Sequence, residues 1–201
     1  MHFSFKTIRK TVENILLKEK GSKFIGYAFP VGNDDQIKEM LQKIKAEHPK
    51  ATHHCYAFRL GEAGQNYRAN DDGEPSGSAG LPIYNQLLAH QVSNILLVVV
   101  RYYGGTKLGV SGLVKAYKDT AKSTLKNSDI ILVDLETTVE IIFEFSHQNS
   151  IFTMLNKFKA TILKFDTNET CILQARIKMS EKENISNQMS EMPIITYKFR
   201  S

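Results

Sequence analysis

The sequence predicts an α+β protein of two domains, one over residues 1–133 and one over residues 134–201. Three observations lead to this class. Helical and strand-like patterns occur in both parts of the chain. The second part has the order βαββαβ, which is typical of a ferredoxin-like domain. Apolar residues make up 42% of the 201 residues and charged residues 23%, an ordinary balance for a protein that buries a core.

Local signals define each element of the first domain. The predicted strands are residues 3–8, 12–17, 23–31, 52–60, 65–69 and 95–101. The last of these is an apolar run, which is typical of a buried strand. The predicted helices are residues 33–48, with Asn33 and Gln36 as a capping box, residues 82–92, with Pro82 in the first turn, and residues 112–126, with Ser111 as the cap.

The pattern changes after Asp134 and becomes that of a small domain. The predicted elements are a strand at 139–145, a helix capped by Ser146, strands at 160–165 and 170–179, a helix opened by Ser180 and Glu183 that ends by Pro193, and a strand at 195–199. Strand residues alternate between apolar and polar types, so we expect a half-buried sheet.

Composition indicates a cytoplasmic protein. No apolar run approaches the roughly 20 residues of a membrane helix, and the N-terminus lacks a signal-peptide pattern. The only cysteines are Cys55 and Cys171, so a disulfide framework is not expected. Cys55 follows His54, but no third group that would orient a Cys–His nucleophile can be assigned. We expect no metal, no cofactor and no catalytic residue.

The positive charge is confined to the first domain. Residues 1–134 contain 18 Lys and Arg against 13 Asp and Glu, whereas residues 135–201 contain 8 of each. The net charge of +5 therefore lies wholly in the first two-thirds of the chain. A mildly basic domain is compatible with a phosphate-bearing partner, and also with an ordinary solvated surface.

A glycine loop follows the apolar strand and leads into a helix. Gly104 and Gly105 let backbone N–H groups turn toward an anion, and the helix N-terminus adds partial positive charge. Arg101 and Lys107 would supply full charges. The glycine spacing matches neither the Walker A loop nor the GxGxxG fingerprint. The alternative is a glycine-rich turn that packs tightly against the strand.

An acidic loop precedes the second predicted helix. Its three carboxylates, Asp71, Asp72 and Glu74, could hold a divalent cation such as Mg²⁺. Gly77 and Ser78 follow and could hold a phosphate at the helix N-terminus. The alternative is a turn whose acidic side chains are solvated.

Four lysines form a ridge on the third helix. Lys115, Lys118, Lys122 and Lys126 fall within an arc of about 80°. Such a ridge suits a phosphate backbone and predicts salt-dependent binding, although a solvated surface has the same pattern. We expect this helix and the two loops to converge into one electropositive hollow.

Ring-bearing side chains in two strands could join that hollow. His53 and His54 point to opposite faces of a strand, so they cannot share a metal ion, and only one can face a given site. A single histidine near Arg59 and Arg68 could join an anion site, with His54 and Arg59 as the candidates. The alternative is a histidine whose hydrogen bonds are satisfied within the structure. Tyr102 and Tyr103 diverge for the same reason, and Tyr103 is the candidate for stacking with a base.

These stretches resemble the signature of the YigZ/IMPACT family. The resemblance rests on residues 53–57, 71–80, 99–109, 111–114 and 116–117. It implies a first domain like the second domain of a small-subunit ribosomal protein, with a mixed sheet and helices on one face. It also implies a ferredoxin-like second domain similar to C-terminal domains of elongation factor G. Eukaryotic relatives act as translational regulators, and bacterial members have been proposed to bind nucleic acid.

The expected function is therefore a non-catalytic binding or regulatory role on RNA, the ribosome or translation-related partners. The predicted binding residues are Arg101, Tyr103, Gly104, Gly105, Lys107, Ser111, Lys115, Lys118, Lys122, His54, Arg59, Gly77 and Ser78. One alternative is an enzyme that handles phosphate or nucleotides with Mg²⁺ on the acidic loop. Another is a protein partner that docks on the ferredoxin-like sheet, where Ile142 and Ile172 face outward.

Overall fold

The structure, a computed structural model, describes residues 3–167, 170–192 and 195–200. The chain divides into two units, of which the N-terminal unit spans Phe5–Val133 and the C-terminal unit contains Asp134 and the residues after it. The elements of the N-terminal unit are β1 (Ser4–Ile8), β2 (Val12–Glu19), β3 (Ser22–Pro30), α1 (Asp34–Glu47), β4 (His53–Leu60), β5 (Asn66–Asn70), α2 (Gly80–Ala89), β6 (Ile95–Tyr102), α3 (Gly109–Lys126) and β7 (Ile130–Asp134).

The apolar strand β6 is the centre of a five-stranded sheet. The strand order is β2-β3-β6-β4-β5, and β1 pairs with β7 in a separate sheet. Side chains of β6 alternate between two cores: Leu97 and Val99 lie in the core with α2 and α3, and Leu96 and Val98 lie in the core with α1. Burial on both faces explains why the strand is apolar throughout.

The α+β class is confirmed, with two differences in the sheet of the N-terminal unit. All neighbouring strands of the five-stranded sheet are antiparallel, whereas a mixed sheet was expected. Helices pack on both faces, whereas one covered face was expected. The reason for the second difference is the continuous apolar pattern of β6, which needs a cover on each side.

The C-terminal unit is a four-stranded antiparallel sheet with two helices. Its elements are β8 (Glu136–Phe143), α4 (Gln148–Lys157), β9 (Thr161–Thr167), β10 (Cys171–Lys178), α5 (Lys182–Ser190) and β11 (Thr196–Arg200). The strand order β11-β8-β10-β9 is that of the expected ferredoxin-like βαββαβ arrangement. Its core contains apolar residues of β8 and β10 together with those of both helices.

Helix starts were predicted correctly at two positions and wrongly at three. Pro82 lies in the first turn of α2, as expected. The Asn33 side chain accepts a hydrogen bond from the Gln36 N–H at 2.9 Å, as expected. Ser146 and Ser180 do not cap, because each lies in a 3₁₀ turn that precedes the helix. Ser111 does not cap α3 either, since that helix begins at Gly109.

One further difference concerns a short segment. The strand β7 was not predicted from the sequence, although Ile130 belongs to the periphery of the core. Pro193, the expected stop of the last helix, lies outside the described residues.

Among the helices that the structure describes, none combines the length and the apolar composition needed to cross a bilayer.

The helix-free face of the C-terminal sheet is mainly charged. Ile142 and Ile172 pair across β8 and β10 and are 36% and 39% exposed. Glu140, on the same face, is bound by three side chains: Gln174, Arg200 and Lys198. These hydrogen bonds, first from Gln174, lower the pKa of Glu140 to about 2. The described residues of this face thus form ion pairs around a small apolar pair, and they do not make the broad apolar surface that a docking site would need.

Close packing of α3 on the sheet depends on Gly26. A Cβ atom at this position would lie 2.0 Å from Thr124 Oγ1 and 3.2 Å from Thr120 Cγ2. We expect Gly26→Ala to lower the free energy of unfolding by about 1–3 kcal/mol, because the helix must shift away from β3. Urea unfolding followed by circular dichroism measures this. Gly32→Ala is the matched control, since its nearest neighbour is 3.7 Å away; equal stability of the two variants would contradict the packing argument.

Candidate nucleic-acid interface

Three loops meet at one end of the five-stranded sheet. β6 ends there, and β3 and β4 begin there, because neighbouring strands are antiparallel. The loops are the turn at residues 20–21 between β2 and β3, the acidic loop at residues 71–79 between β5 and α2, and the glycine loop at residues 103–108 between β6 and α3. We call this region the loop end of the sheet.

The glycine loop packs against the β2–β3 turn. The Gly104 N–H donates to Ser22 Oγ at 3.1 Å. A Cβ atom on Gly104 would lie 1.9 Å from the carbonyl carbon of Gly21, so only glycine fits. Gly105 and Gly109 are different, since both have positive φ angles, +85° and +70°, and no atom lies within 4 Å of a Cβ built there. The loop therefore has a packed base and an open rim.

Arg101 is buried under the glycine loop. Only 5% of the residue is exposed. Its Nη1 donates to Glu74 Oε1 at 2.6 Å, and its guanidinium carbon lies 5.5 Å from the ring centres of both Phe24 and Tyr103. The expectation that Arg101 contacts an external phosphate is not supported by this position. The alternation of side chains along β6 explains why Arg101 is buried. Arg101 lies on the same face of the strand as Val99, so it points into the core under α2 and α3.

Two more buried side chains complete this cluster. The Tyr117 hydroxyl donates to Glu74 Oε1 at 2.7 Å. The Cys55 sulfur lies 3.3 Å from that hydroxyl and 3.0 Å from the Asp71 carbonyl oxygen. Burial raises the pKa of Tyr117 and the pKa of Cys55, so the phenol and the thiol both stay protonated at neutral pH. The cluster joins the acidic loop, β6, β4 and α3.

The acidic loop already holds an anion, namely its own Asp71 carboxylate. Asp71 accepts backbone N–H groups from Gly77 at 2.9 Å, Ala79 at 3.0 Å and Gly80 at 2.8 Å. The Ser78 hydroxyl donates to the Pro75 carbonyl oxygen at 2.6 Å. The structure therefore does not support the predicted roles of Gly77 and Ser78 in binding an external phosphate. Both residues form hydrogen bonds within the chain, and the Asp71 carboxylate caps α2.

The three carboxylates of the acidic loop do not share a site. Asp71 caps α2, Asp72 accepts the His54 N–H at 2.6 Å, and Glu74 binds Arg101 and Tyr117. Within the described part of the chain, no group of three acidic, histidine or cysteine side chains could hold a metal ion. The geometry gives no support to a Mg²⁺ site on this loop.

His53 and His54 lie on opposite faces of β4. His53 Nε2 is 3.8 Å from Glu74 Oε1, at the edge of the buried cluster. His54 lies on the α1 face, with Nε2 3.2 Å from the His48 carbonyl oxygen, and burial lowers its pKa. The histidine that joins the loop end is therefore His53, whereas the sequence predicts His54. Arg59 also lies away from the loop end, because β4 pairs it with Ile95 at the opposite end of β6.

Exposed lysines continue from the glycine loop along α3. Lys107 is exposed in the loop, and Lys115, Lys118 and Lys122 are exposed on the helix, as is Lys126. Among the described residues only Lys115 of this group has an acidic partner within 4 Å, Asp119 at 3.7 Å. We call these five lysines with the glycine loop the basic surface. Ser111 lies on it in the first turn of α3.

Only one of the two adjacent tyrosines is available at this surface. Tyr103 is 48% exposed, with the Arg101 guanidinium beside its ring. The Tyr102 hydroxyl is engaged by His48 Nδ1 at 2.9 Å on the α1 face. Of the two rings, Tyr103 is therefore the one that is open to solvent.

Sequence reasoning missed Tyr117 and the lysines of the β2–β3 hairpin. Tyr117 lies on the buried face of α3, and nothing in the sequence reveals that its hydroxyl reaches Glu74. The hairpin has a detectable signal, because Lys18, Lys20 and Lys23 surround a glycine. All three are exposed.

Fold and site together define a two-unit α+β protein with a basic surface over a buried ion pair. The pattern of the Impact N-terminal domain matches residues 20–125. This protein belongs to the IMPACT family. It is 30% identical to the IMPACT family member YvyE of Bacillus subtilis over 96% of this chain and 88% of that protein. It is 31% identical to the IMPACT family member YigZ of Escherichia coli over 86% of this chain and 85% of that protein.

A solved structure has the same fold over nearly the whole chain. It is described as the crystal structure of an hypothetical protein and superposes with a TM-score of 0.72 at 28% identity. The match covers 98% of this chain and 97% of that one.

The buried pair of Glu74 and Arg101 can be tested by stability. Glu74→Gln leaves the Arg101 charge without its counterion, so we expect a loss of about 3–5 kcal/mol in the free energy of unfolding. Asp35→Asn is the control, since Asp35 and Lys38 form an exposed pair that contributes less than about 1 kcal/mol. The double variant Glu74→Gln with Arg101→Met should recover part of the loss. A loss for Glu74→Gln no larger than that of Asp35→Asn would contradict this role.

The Cys55 thiol should not react in the folded protein. Burial both raises its pKa and blocks reagents, so at about pH 8 the thiolate is scarce and shielded. In a Cys171→Ala variant, a thiol reagent should modify Cys55 only after unfolding in urea. Rapid stoichiometric modification without urea would instead indicate an activated nucleophile.

Proposed function

We propose that this protein binds RNA through the basic surface and acts as a non-catalytic regulator of translation in the cytoplasm. The observation that carries the proposal is the run of exposed lysines that begins at Lys107 and continues along α3. These side chains present positive charge on one side of the N-terminal unit, which also holds the whole excess charge of the chain. A phosphate backbone is the ligand that such a row suits.

The backbone of the glycine loop supports the same ligand. Gly105 and Gly109 leave the rim of the loop open, and α3 starts directly behind it. Among the described residues no side chain caps this helix start, and its first turn contains no acidic residue. The unpaired N–H groups and the helix dipole add to the field of Lys107. Anions are therefore favoured here, in contrast to the start of α2, which Asp71 occupies.

Family likeness points to the translation machinery as the source of the RNA. The resemblance implies translational regulation for eukaryotic members, and relatives named IMPACT occur in yeast and rat. The basic surface lies largely within the residues that match the family pattern. The competing Mg²⁺-dependent phosphate enzyme is not supported, because each carboxylate of the acidic loop is bound to groups of its own chain.

The proposal predicts salt-dependent RNA binding that requires the lysines of α3. We expect the triple variant Lys115→Gln, Lys118→Gln and Lys122→Gln to lower the slope of log K against log salt by about 2–3, since each phosphate contact contributes about 0.7–0.9. Fluorescence anisotropy of a labelled RNA between about 50 and 200 mM salt measures the slope. The single variant Lys107→Gln should lower this slope by about 0.7–0.9.

Lys38→Gln is the matched control for this experiment. Lys38 is an exposed lysine near the start of α1, outside the basic surface. It should leave both the affinity and the slope unchanged. A flat salt dependence of the wild-type protein, or wild-type behaviour of the triple variant, would refute RNA binding by this surface.

A further inference from the structure

Four apolar side chains lie together beside the edge strand β5. Tyr67 of β5 stacks on Tyr84 of α2, with the ring centres 4.9 Å apart and an interplanar angle of 23°. Leu81 and Leu88 lie with Tyr84 in an arc of about 60° around α2, so the three side chains form one stripe. Tyr67, Leu81 and Leu88 are 58%, 49% and 42% exposed. We call these four residues the α2–β5 surface. Exposed apolar side chains that cluster in this way are typical of an interaction site.

The backbone of β5 is open on one side. The strand lies at the edge of the five-stranded sheet, and among the described residues only β4 pairs with it. Its pairing with β4 runs from Asn66 to Asn70 without a register shift. The other edge strand, β2, is different, because its pairing is interrupted between Val12 and Ile15. Irregular edges oppose the addition of a further strand. A regular ladder of N–H and C=O groups is therefore offered by β5 rather than by β2.

The two faces of β5 differ in chemistry. Ala69 pairs with Ala57 of the core under α2 and α3, so Ala69 and Tyr67 lie on the α2 face. Arg68 pairs with Phe58 of the core under α1, so its side chain lies on the opposite face. Arg68 is exposed, and none of the arginine ion pairs among the described residues includes it. A complementary strand thus needs apolar side chains on one face and an acidic side chain on the other.

We propose that β5 and the α2–β5 surface bind an extended segment of a partner protein in which apolar and acidic residues alternate. The segment matches the five residues of β5 in length and adds to the sheet as a further strand. Its backbone bonds to the open side of β5. Its apolar side chains cover the α2–β5 surface, and an acidic side chain pairs with Arg68. The inference does not depend on RNA binding, because the basic surface shares no residue with this one.

Charge favours this partner over the other two candidates. If two copies of β5 pair antiparallel about Arg68, the two arginines lie directly opposite each other, and like charges in that position destabilise a sheet. An acidic residue in the same position gains an opposite-charge pair. RNA is also a poorer match, because α2 contains no charged residue and the stripe on it is apolar.

The charge requirement is tested with a labelled peptide of about seven residues in which Glu and Val alternate. Fluorescence anisotropy should show that the wild-type protein prefers it to a peptide of alternating Lys and Val. Arg68→Glu should weaken binding of the Glu–Val peptide about tenfold, because an attractive pair becomes a repulsive one. Lys38→Glu is the matched reversal on α1 and should bind as the wild type does. Equal affinity of Arg68→Glu and the wild type would overturn the proposal.

The basic surface needs its own control, since it could attract an acidic peptide. The triple variant Lys115→Gln, Lys118→Gln and Lys122→Gln should bind the Glu–Val peptide as the wild type does. Loss of binding in this variant would place the peptide on the basic surface and contradict the proposal.

The apolar contact is tested at Tyr67. Tyr67→Ser should weaken the Glu–Val peptide about tenfold, because the partner then covers less apolar area. Leu16→Ser is the matched control, since Leu16 is 52% exposed on the other edge strand. Circular dichroism verifies that both variants are folded. If Leu16→Ser weakens binding and Tyr67→Ser does not, the peptide adds to β2 and the assignment to β5 is wrong.

Amide hydrogen exchange tests whether the peptide adds as a strand. The saturating Glu–Val peptide should slow exchange of alternate amides of β5 at least tenfold, because their N–H groups become hydrogen-bonded. A peptide with Pro in place of the central Val should bind more weakly, since Pro cannot donate to the ladder. Unchanged exchange in β5 with the peptide bound would refute strand addition.

Sedimentation tests the remaining candidate for this surface, a second copy of the chain. Without peptide, the wild-type protein should sediment as a monomer at the concentration of the titrations. A wild-type dimer that dissociates in Tyr67→Ser would assign the surface to self-association and overturn the proposal.

Discussion

The buried ion pair between Glu74 and Arg101 is the constraint on which the loop end depends. Two opposite charges that are nearly excluded from water stabilise each other here through the hydrogen bond from Arg101 Nη1 to Glu74 Oε1 at 2.6 Å. The Tyr117 hydroxyl supplies a further hydrogen bond to the same carboxylate oxygen. Because the three residues come from the acidic loop, β6 and α3, one desolvated cluster fixes that loop and that helix relative to the sheet.

This arrangement divides the charges of the N-terminal unit into an inner and an outer set. Inside, Arg101 is neutralised by Glu74, and the N–H groups at the start of α2 are taken by Asp71. Outside, lysines of α3, the glycine loop and the hairpin remain without comparable partners. The surface field is therefore set by flexible exposed lysines, while the inner pair sets the positions of the loops that carry them.

The sequence predicted the elements well where the signal was local. Apolar periodicity located the strands and helices, and the buried strand β6 followed from its uninterrupted apolar run. The glycine and lysine clusters of the basic surface were also visible. The errors arose where a choice depended on neighbours distant in sequence. Ser146 and Ser180 failed as caps because 3₁₀ turns precede their helices, and β7 was missed because its partner β1 lies at the other end of the unit.

By itself, the sequence determined the α+β class, the family and the basic character of residues 1–134, because these follow from periodicity, motifs and charge counts. Only the tertiary structure decided which charges face water. Arg101 and Lys107 belong to one motif, yet strand parity buries the first against Glu74 and leaves the second in solvent. Strand parity likewise separates His53, which lies near Glu74, from His54, which lies on the α1 face. A side chain's partner across a sheet is set by register and packing, which no short stretch of sequence contains.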